Sequence, residues 1–449
     1  MKHLGGNIKV AMKKKPVTGM KDILPREMEI RDYAIGLIKE TYKTFGFTSV
    51  ETPAVEHIEN LSSNQGGENE KLIFKIMKRG DKLAAAASKL VASGSADDLE
   101  GGLVGDLSDS GLRYDLTLPL SRYYSNNAND LPSPFKALQM GPVWRADRPQ
   151  RGRYRQFMQC DIDILGEADI IAETELILAT TTLLGKLDFR NFSIRINDRR
   201  ILKAMAASCG FSEDSYDSVF VTLDKMDKIG LEGVKEELLA SGYNESSVEQ
   251  YIDLFSGVSA GDVVDAETSV AALRKISEKI SNYLDKEVAD NLETIITSVE
   301  GAKAAEFALK FDPTLVRGMS YYTGPIFEIS MDEYGGSVGG GGRYDEMIGK
   351  FTGQPTPAVG FSIGFERIVM LLLENDFQVP GSGEKKAYLI EKGMPAEKMK
   401  KILEIAGAER REGKIVNISI MKKNKKFQKE KMQQEGYTDF VEFFTDKEF

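Results

Sequence analysis

Arginine and aspartate, rather than histidine or cysteine, carry whatever chemistry this 449-residue chain performs. It has two histidines, His3 and His57, and two cysteines, Cys160 and Cys209, in separate segments. That scarcity argues against a Ser-His-Asp or Cys-His mechanism, a zinc site and a disulfide framework. What stands out instead is a set of arginines, Arg145, Arg153, Arg317, Arg343 and Arg367, each in or beside a strand-like segment. Little carboxylate lies close enough in sequence to pair all of them. Guanidinium is permanently charged and grips phosphate oxygens two at a time, so arginines converging on one cleft point to a polyphosphate such as ATP, with Mg²⁺ carried along. There is no GxxxxGK[ST] loop, and the glycine run at 339–342 does not follow the GxGxxG pattern, so a nucleotide here would be held by side chains. Any one arginine is more often a surface or salt-bridge residue; the weight lies in the set.

The carboxylates fall on a period of two. In LRYDLT at 112–117, Arg113, Asp115 and Thr117 alternate with Leu112, Tyr114, Leu116 and then Leu118. Further on, Gln159, Asp161 and Asp163 alternate with Cys160, Ile162 and Ile164. On extended strands this puts charge and amide on one face over an apolar back. The polar face is then either the floor of a binding cleft or a plainly solvated side of an antiparallel sheet. Phe157 can stack on a base, and Tyr321, Tyr322 and Tyr344 can wall a small-molecule pocket, although core packing is the commoner fate of any single aromatic residue.

The elements that must position these residues follow from pattern. At 449 residues the chain exceeds what one core usually supports, so roughly two to four domains are expected. The Lys-rich residues 1–15 read as a flexible leader of a cytoplasmic protein, and no run approaches a membrane span. Residues 16–197 form the first part of a core. It opens with a helix from Glu27 to Phe45, and a strand from Phe47 to Val55, broken by Pro53, suits an edge or interface. Residues 81–110, rich in Ala, Gly, Ser and Asp, read as a mobile surface insertion. Amphipathic segments over 198–303 predict an inserted helical domain. Residues 304–374 return to the core, with a hinge-like glycine cluster at 335–342, a strand at 358–363, and a helix whose apolar stripe is Phe365, Ile368, Val369 and Leu372. After a linker at 375–384, residues 385–449 alternate as β-α-β-α-β. That last segment holds 16 basic and 11 acidic residues, a net of +5 in a chain of −10 overall. Its lysines Lys422, Lys423, Lys425 and Lys426 are either a nucleic-acid contact or a solvated helix face.

Taken together these segments resemble the class II aminoacyl-tRNA synthetases, and within them the histidyl-tRNA synthetase family. GMKDILP with the helix and strand through Pro53 is similar to motif 1, VWRADRPQRGRYRQFMQCDID to motif 2, and GFSIGFERIVMLL to motif 3. LVRGMSYYTG, followed by GGGGRYD, resembles the motif that distinguishes the histidine-specific members. The likeness spans nearly the whole chain. It implies an α+β fold: an antiparallel class II sheet flanked by helices, a helical insertion domain, and a small C-terminal α/β domain of the anticodon-binding kind, short for that role. It implies a homodimer built through motif 1. The activity implied is joining of histidine, by way of ATP and its Mg²⁺, to tRNA(His), without a metal held by protein ligands alone.

By the same resemblance Arg145, Arg317 and Arg367 are the catalytic arginines, with Arg145 and Arg317 on either side of the α-phosphate. Asp147 lies near adenine, Phe157 stacks on it, and Arg153 with Arg367 meets the terminal phosphates. Asp115, Thr117 and Gln159 cradle the α-ammonium group, while Asp163, Tyr321, Tyr322 and Tyr344 form the imidazole pocket. Ser320 stands where the family usually has aspartate. The alternative is a non-catalytic paralog, such as the regulatory subunit of ATP phosphoribosyltransferase, or a tRNA-binding module. Such relatives are expected to have lost catalytic residues, whereas these arginines are present.

Overall fold

The structure, a computed structural model, describes residues 13–62, 69–93, 107–256, 258, 263–316, 321–381 and 383–448. In chain order its strands are β1 (Thr48–Val50), β2 (Val55–His57), β3 (Lys75–Met77), β4 (Ser108–Leu112), β5 (Phe135–Trp144), β6 (Gln156–Leu165), β7 (Phe192–Asp198), β8 (Ala308–Phe311), β9 (Pro325–Met331), β10 (Gly336–Arg343), β11 (Ala358–Ile363), β12 (Lys385–Ile390), β13 (Ile415–Ile420) and β14 (Asp439–Phe443). The chain divides into two compact units, Met1–Asp22 with Ala34–Leu371, and Ile23–Tyr33 with Leu372–Phe449.

The larger unit is organised by an eight-stranded sheet in the order β1-β5-β6-β11-β10-β9-β7-β8. Its interior pairings are antiparallel, and only the outermost pairs, β1 with β5 and β7 with β8, are parallel. This is the α+β, antiparallel-rich architecture that the sequence predicts. The period of two in β6 holds: Cys160, Ile162 and Ile164 are all but completely buried, each isoleucine contributing about 2 kcal/mol of burial. Helix Ile171–Lys186, apolar nearly all round, packs against β6 and β11, as a helix buried on every side must be.

Parallel neighbours cannot be joined by a tight turn; they need a crossover of a dozen or more residues. Between β7 and β8 it is supplied by helices Arg199–Ser208, Tyr216–Leu223, Met226–Ala240, Glu245–Leu254, Ala266–Lys279 and Lys286–Ala302. Local chemistry starts them. Asp198 accepts from the Arg200 N–H, Asn244 from that of Ser247, and Asp265 with Thr268 forms a reciprocal capping box.

Several local expectations are corrected. LRYDLT is not one strand: β4 ends at Leu112, and Thr117 opens helix Thr117–Asn127. Arg113 accordingly turns inward, donating to the carbonyls of Pro142 at 3.0 Å and Thr52 at 2.6 Å. The Phe47–Val55 strand is short, with β1 at the sheet edge and β2 in a separate small sheet ordered β2-β4-β3. Within 81–110, helix Gly80–Ser93 is continuous, as its alanine run favours, and Ser108–Leu112 is paired strand; 94–106 lies outside the described residues. The glycine cluster is not a hinge but β10, hydrogen-bonded on both sides to β9 and β11.

The smaller unit holds a parallel sheet ordered β13-β12-β14 with helices Ala396–Arg411 and Lys425–Gln434 as its crossovers. Tyr388, Ile390, Ile402, Ala406, Val416 and Phe443 form its core. No helix among the described residues is long and apolar enough to cross a membrane.

Candidate active site

On the polar side of β6 lies a cavity of about 580 Å³, within the range of small-molecule sites. Strands β6, β10 and β11, the loop 145–155, the start of helix Thr117–Asn127 and the start of helix Phe365–Glu374 line it, and Asp224 reaches it from the helical crossover.

One end is acidic. Asp115, Asp161 and Asp163 are each almost wholly buried, at 2%, 3% and 2% exposure. Each has one oxygen tied to the protein: Asp115 Oδ1 accepts from the Leu118 N–H at 3.2 Å, Asp161 Oδ2 from Gln159 Nε2 at 2.8 Å, and Asp163 Oδ1 from the Tyr344 hydroxyl at 2.6 Å. The other oxygen of Asp115 and of Asp163 has no hydrogen-bond partner, whereas Asp161 is also reached by the Ser362 hydroxyl. Burial raises all three carboxyls above the ordinary range. Asp161 is pushed up to about 6, against the pull of the Ser362 hydroxyl and the Gln159 amide. For Asp163 the neighbouring Asp161 charge adds to burial, and the Tyr344 hydrogen bond opposes them. Tyr321 packs edge-on against Tyr322 and Tyr344, with ring centroids 4.8 and 6.2 Å away.

Bare backbone makes room for this end. A Cβ on Gly360 would stand 2.1 Å from Asp163 Oδ1, and one on Gly341 only 1.9 Å from the Gly360 carbonyl oxygen. Both positions therefore admit hydrogen alone.

Beyond it the lining is basic, beginning with Arg145, whose charge Asp115 and Asp161 feel. Arg145 donates from Nε to the Tyr114 carbonyl at 2.8 Å and from Nη2 to Gln159 Oε1 at 3.3 Å, and its guanidinium lies 5.2 Å from the Phe157 ring centroid. Arg153 grips Asp147 Oδ2 through Nε at 3.1 Å and Nη2 at 2.7 Å. A turn in which Gln150 and Arg153 exchange backbone hydrogen bonds sets that pair. Arg367 donates to the Ser337 carbonyl and lies 5.2 Å from the Tyr334 ring centroid. Beside it, Glu366 accepts from the Met158 N–H at 3.0 Å. An arrangement with open acceptors at one end and guanidinium groups at the other suits a ligand that carries N–H donors on one side and phosphate on the other.

A family model described as histidyl-tRNA synthetase matches residues 106–368. The chain belongs to the histidyl-tRNA synthetase family. A histidine–tRNA ligase from Leifsonia xyli subsp. xyli is 45% identical over 363 residues, 80% of either chain. A probable histidine–tRNA ligase from Tropheryma whipplei is 43% identical over 371 residues, covering 81% of this chain and 82% of that one. Among solved structures, histidyl-tRNA synthetase from Nostoc sp. PCC 7120 superposes with a TM-score of 0.74 at 26% identity, over 97% of this chain and 92% of that one. An ATP phosphoribosyltransferase regulatory subunit/histidyl-tRNA synthetase from Bacillus halodurans C reaches 0.72 at 20% identity, over 97% and 98%, a likeness of fold alone.

Of the residues this family's motifs single out, Asp115, Thr117, Arg145, Asp147, Arg153, Phe157, Gln159, Asp163, Tyr321, Tyr322, Tyr344 and Arg367 all line the one cavity. Arg317 and Ser320 lie outside the described residues. Arg343, one of the arginines taken from the sequence as poorly paired, is not at the cavity. It is bound on two oxygens by Glu173, at 2.6 and 2.8 Å, in a buried ion pair. In the smaller unit Lys425 is paired with Glu442 at 2.8 Å, as is Lys429. The lining also includes polar residues that were not among the sequence candidates, Asp161, Glu366 and Ser337 among them. Alternation along β6 already put Asp161 on the polar face, and that was the available signal; Glu366 and Ser337 had none.

Proposed function

We propose that this protein is a histidine–tRNA ligase that activates histidine with ATP and passes it to the 3′ end of tRNA(His). In the first step a histidine carboxylate oxygen attacks the α-phosphorus, the bond to the bridging oxygen breaks, and pyrophosphate leaves. Charge grows on the α-phosphoryl oxygens, and Arg145, fixed by two hydrogen bonds and a ring, meets it without reorganising. Arg317 takes the opposite flank on the strength of the family motif. No general base is required, because the attacking carboxylate is already ionised.

Arg153 and Arg367 receive the terminal phosphates by giving up their present partners, Asp147 and the Ser337 carbonyl. Phe157 stacks on adenine. Asp147 and Glu366 are the carboxylates beside Arg153 and Arg367, and Mg²⁺ carried on the ATP phosphates would supply charge to neutralise the leaving pyrophosphate. Asp115, Thr117 and Gln159 hold the α-ammonium group, and Asp163, steadied by Tyr344, accepts an imidazole N–H. The chain acts as a homodimer in the cytoplasm, with the edge strand β1 and helix Pro25–Thr44 near the subunit boundary.

The observation that carries this reading is the pair of buried carboxylates, Asp115 and Asp163, each with an open oxygen, in the same cavity as the arginines. A ligand without N–H donors leaves those oxygens unpaired, which can be worth about 10⁴ in discrimination. The test is ATP–pyrophosphate exchange with each amino acid in turn: exchange with histidine alone is expected, and none with histidine would refute the proposal. Sedimentation at micromolar concentration tests the dimer, and a species of 49.7 kDa alone would refute it.

A further inference from the structure

We propose that Asp161 is a positioning residue, holding the Arg145 guanidinium on the phosphoryl centre by fixing the side-chain amide of Gln159. The inference rests on the reading of Arg145 given above.

Three side chains form a line of hydrogen bonds along the cavity floor. Asp161 Oδ2 accepts from Gln159 Nε2 at 2.8 Å, and Gln159 Oε1 accepts from Arg145 Nη2 at 3.3 Å. A carboxylate can only accept and a guanidinium can only donate, so a single orientation of the amide satisfies both neighbours. With Asp161 removed, nothing on that side prevents the amide from turning its NH₂ group toward Arg145, donor against donor. Beside its contact with the Phe157 ring, the guanidinium has two hydrogen bonds, to Gln159 and to the Tyr114 carbonyl. Losing the first leaves it free to swing about the second.

The scaffold suits such a role. Asp161 lies on an interior strand, opposite Ser362 of β11 and Gln139 of β5, and both Asp161 and Gln159 are buried, at 3% and 8% exposure. Asp115 and Asp163 already provide the open acceptors that the ammonium and imidazole groups need, so substrate binding does not call for a third. Displacement by about 1 Å of a group at the reacting centre can cost about 10²-fold in rate.

The experiment measures histidine-dependent ATP–pyrophosphate exchange on the full chain. Asp161→Ala is expected to lower kcat by about ten- to a hundredfold, leaving KM for histidine within about twofold. Asp161→Asn, whose amide oxygen can still accept from Gln159, is expected to recover most of that loss. Added to Gln159→Ala, the Asp161→Ala change is expected to cost no further kcat. Should the alanine variant fail to fold, Asp161→Val, β-branched and suited to a buried strand, carries the same expectation. Undiminished kcat in Asp161→Ala overturns the proposal. So does a raised histidine KM with kcat intact, the mark of direct substrate contact, or independent losses in the double variant. Arg145→Ala separates the two levels: if it retains exchange, the underlying reading of Arg145 fails; if it loses exchange while Asp161→Ala does not, only the positioning role fails.

Discussion

The two ends of the cavity keep their unliganded charges in opposite ways. At the acidic end the buried carboxylates of Asp115 and Asp163 each hold an oxygen without a partner, so the site carries an unmet demand for N–H donors before any ligand arrives. At the basic end the guanidinium groups already have stand-ins: Asp147 for Arg153, the Ser337 carbonyl for Arg367, and Gln159 with the Tyr114 carbonyl for Arg145. Binding at the first end relieves a cost, while binding at the second exchanges one set of partners for another. Selectivity is therefore expected to live among the carboxylates, and rate among the arginines.

The sharpest way to break that contrast is at the arginines. Arg317→Ala and Arg145→Ala are each expected to lower exchange by about 10³-fold or more, with thermal stability unchanged; near-normal exchange would remove the assigned roles. Next comes Asp163→Asn, which keeps the volume but can present its NH₂ to the imidazole. The expected loss is about 10²-fold in kcat/KM for histidine, measured by exchange at varied histidine, with a smaller change in KM for ATP. A variant hurt equally in both substrates would blur the division of labour.

A pH series tests the stored cost directly. The carboxyls of Asp115, Asp161 and Asp163 are raised in the folded protein, Asp161 to about 6. Between the ordinary carboxylate range and about 6, Asp161 holds a proton in the folded chain that the unfolded one has lost, so it favours folding at low pH and loses that contribution as pH rises through the window, and Asp115 and Asp163 act in the same direction. Asp161→Asn is expected to raise Tm of the ligand-free protein more at pH 8 than at pH 5, by calorimetry. An identical increment at both would show that no such cost is stored there.

Smaller still is the effect of Arg153→Ala. Its side chain is 47% exposed and its partner Asp147 is close, so a rise of about tenfold in KM for ATP is expected, with kcat little altered. Smallest is reversal of Lys422, Lys423 and Lys426 to glutamate. Charging of tRNA is expected to weaken a few-fold and most at low salt, with exchange untouched, as electrostatic contact with a nucleic acid predicts. Equal weakening of exchange would show that the smaller unit acts on the chemistry itself.

Much of this was legible before any coordinates, and the residues explain why. The α+β architecture was what the resemblance to the histidyl-tRNA synthetase family implied, and β6 reads correctly because alternation is a local property. LRYDLT alternates just as well, yet only its first residue is strand; the chain turns at Arg113, and Asp115 and Thr117 reach the cavity from a loop and a helix start instead. Arg343 looked poorly paired because its main partner, Glu173, lies 170 residues away in sequence, although Asp345, two residues on, also accepts from its Nη1 at 3.3 Å. The glycine run looked like a hinge because a strand without side chains has no hydrophobic period, and its pairing with β9 and β11 is long-range. Asp161 was visible as one more polar residue, but its link to Arg145 through Gln159 exists only in three dimensions.

The helical block between β7 and β8 also governs how this protein could be shortened. An internal deletion that excises the helices without leaving a crossover of about a dozen residues takes β8 away with them. Strand β7, carrying the buried Phe192, Ile194 and Ile196, would then become a sheet margin with unsatisfied peptide groups, a template for pairing between molecules. A trimmed enzyme made in this way is expected to precipitate before it can be assayed, and a tether that kept β8 in place would still uncover it, because Ser269 of helix Ala266–Lys279 donates to the Leu309 carbonyl and accepts from the Phe311 N–H of that outermost strand.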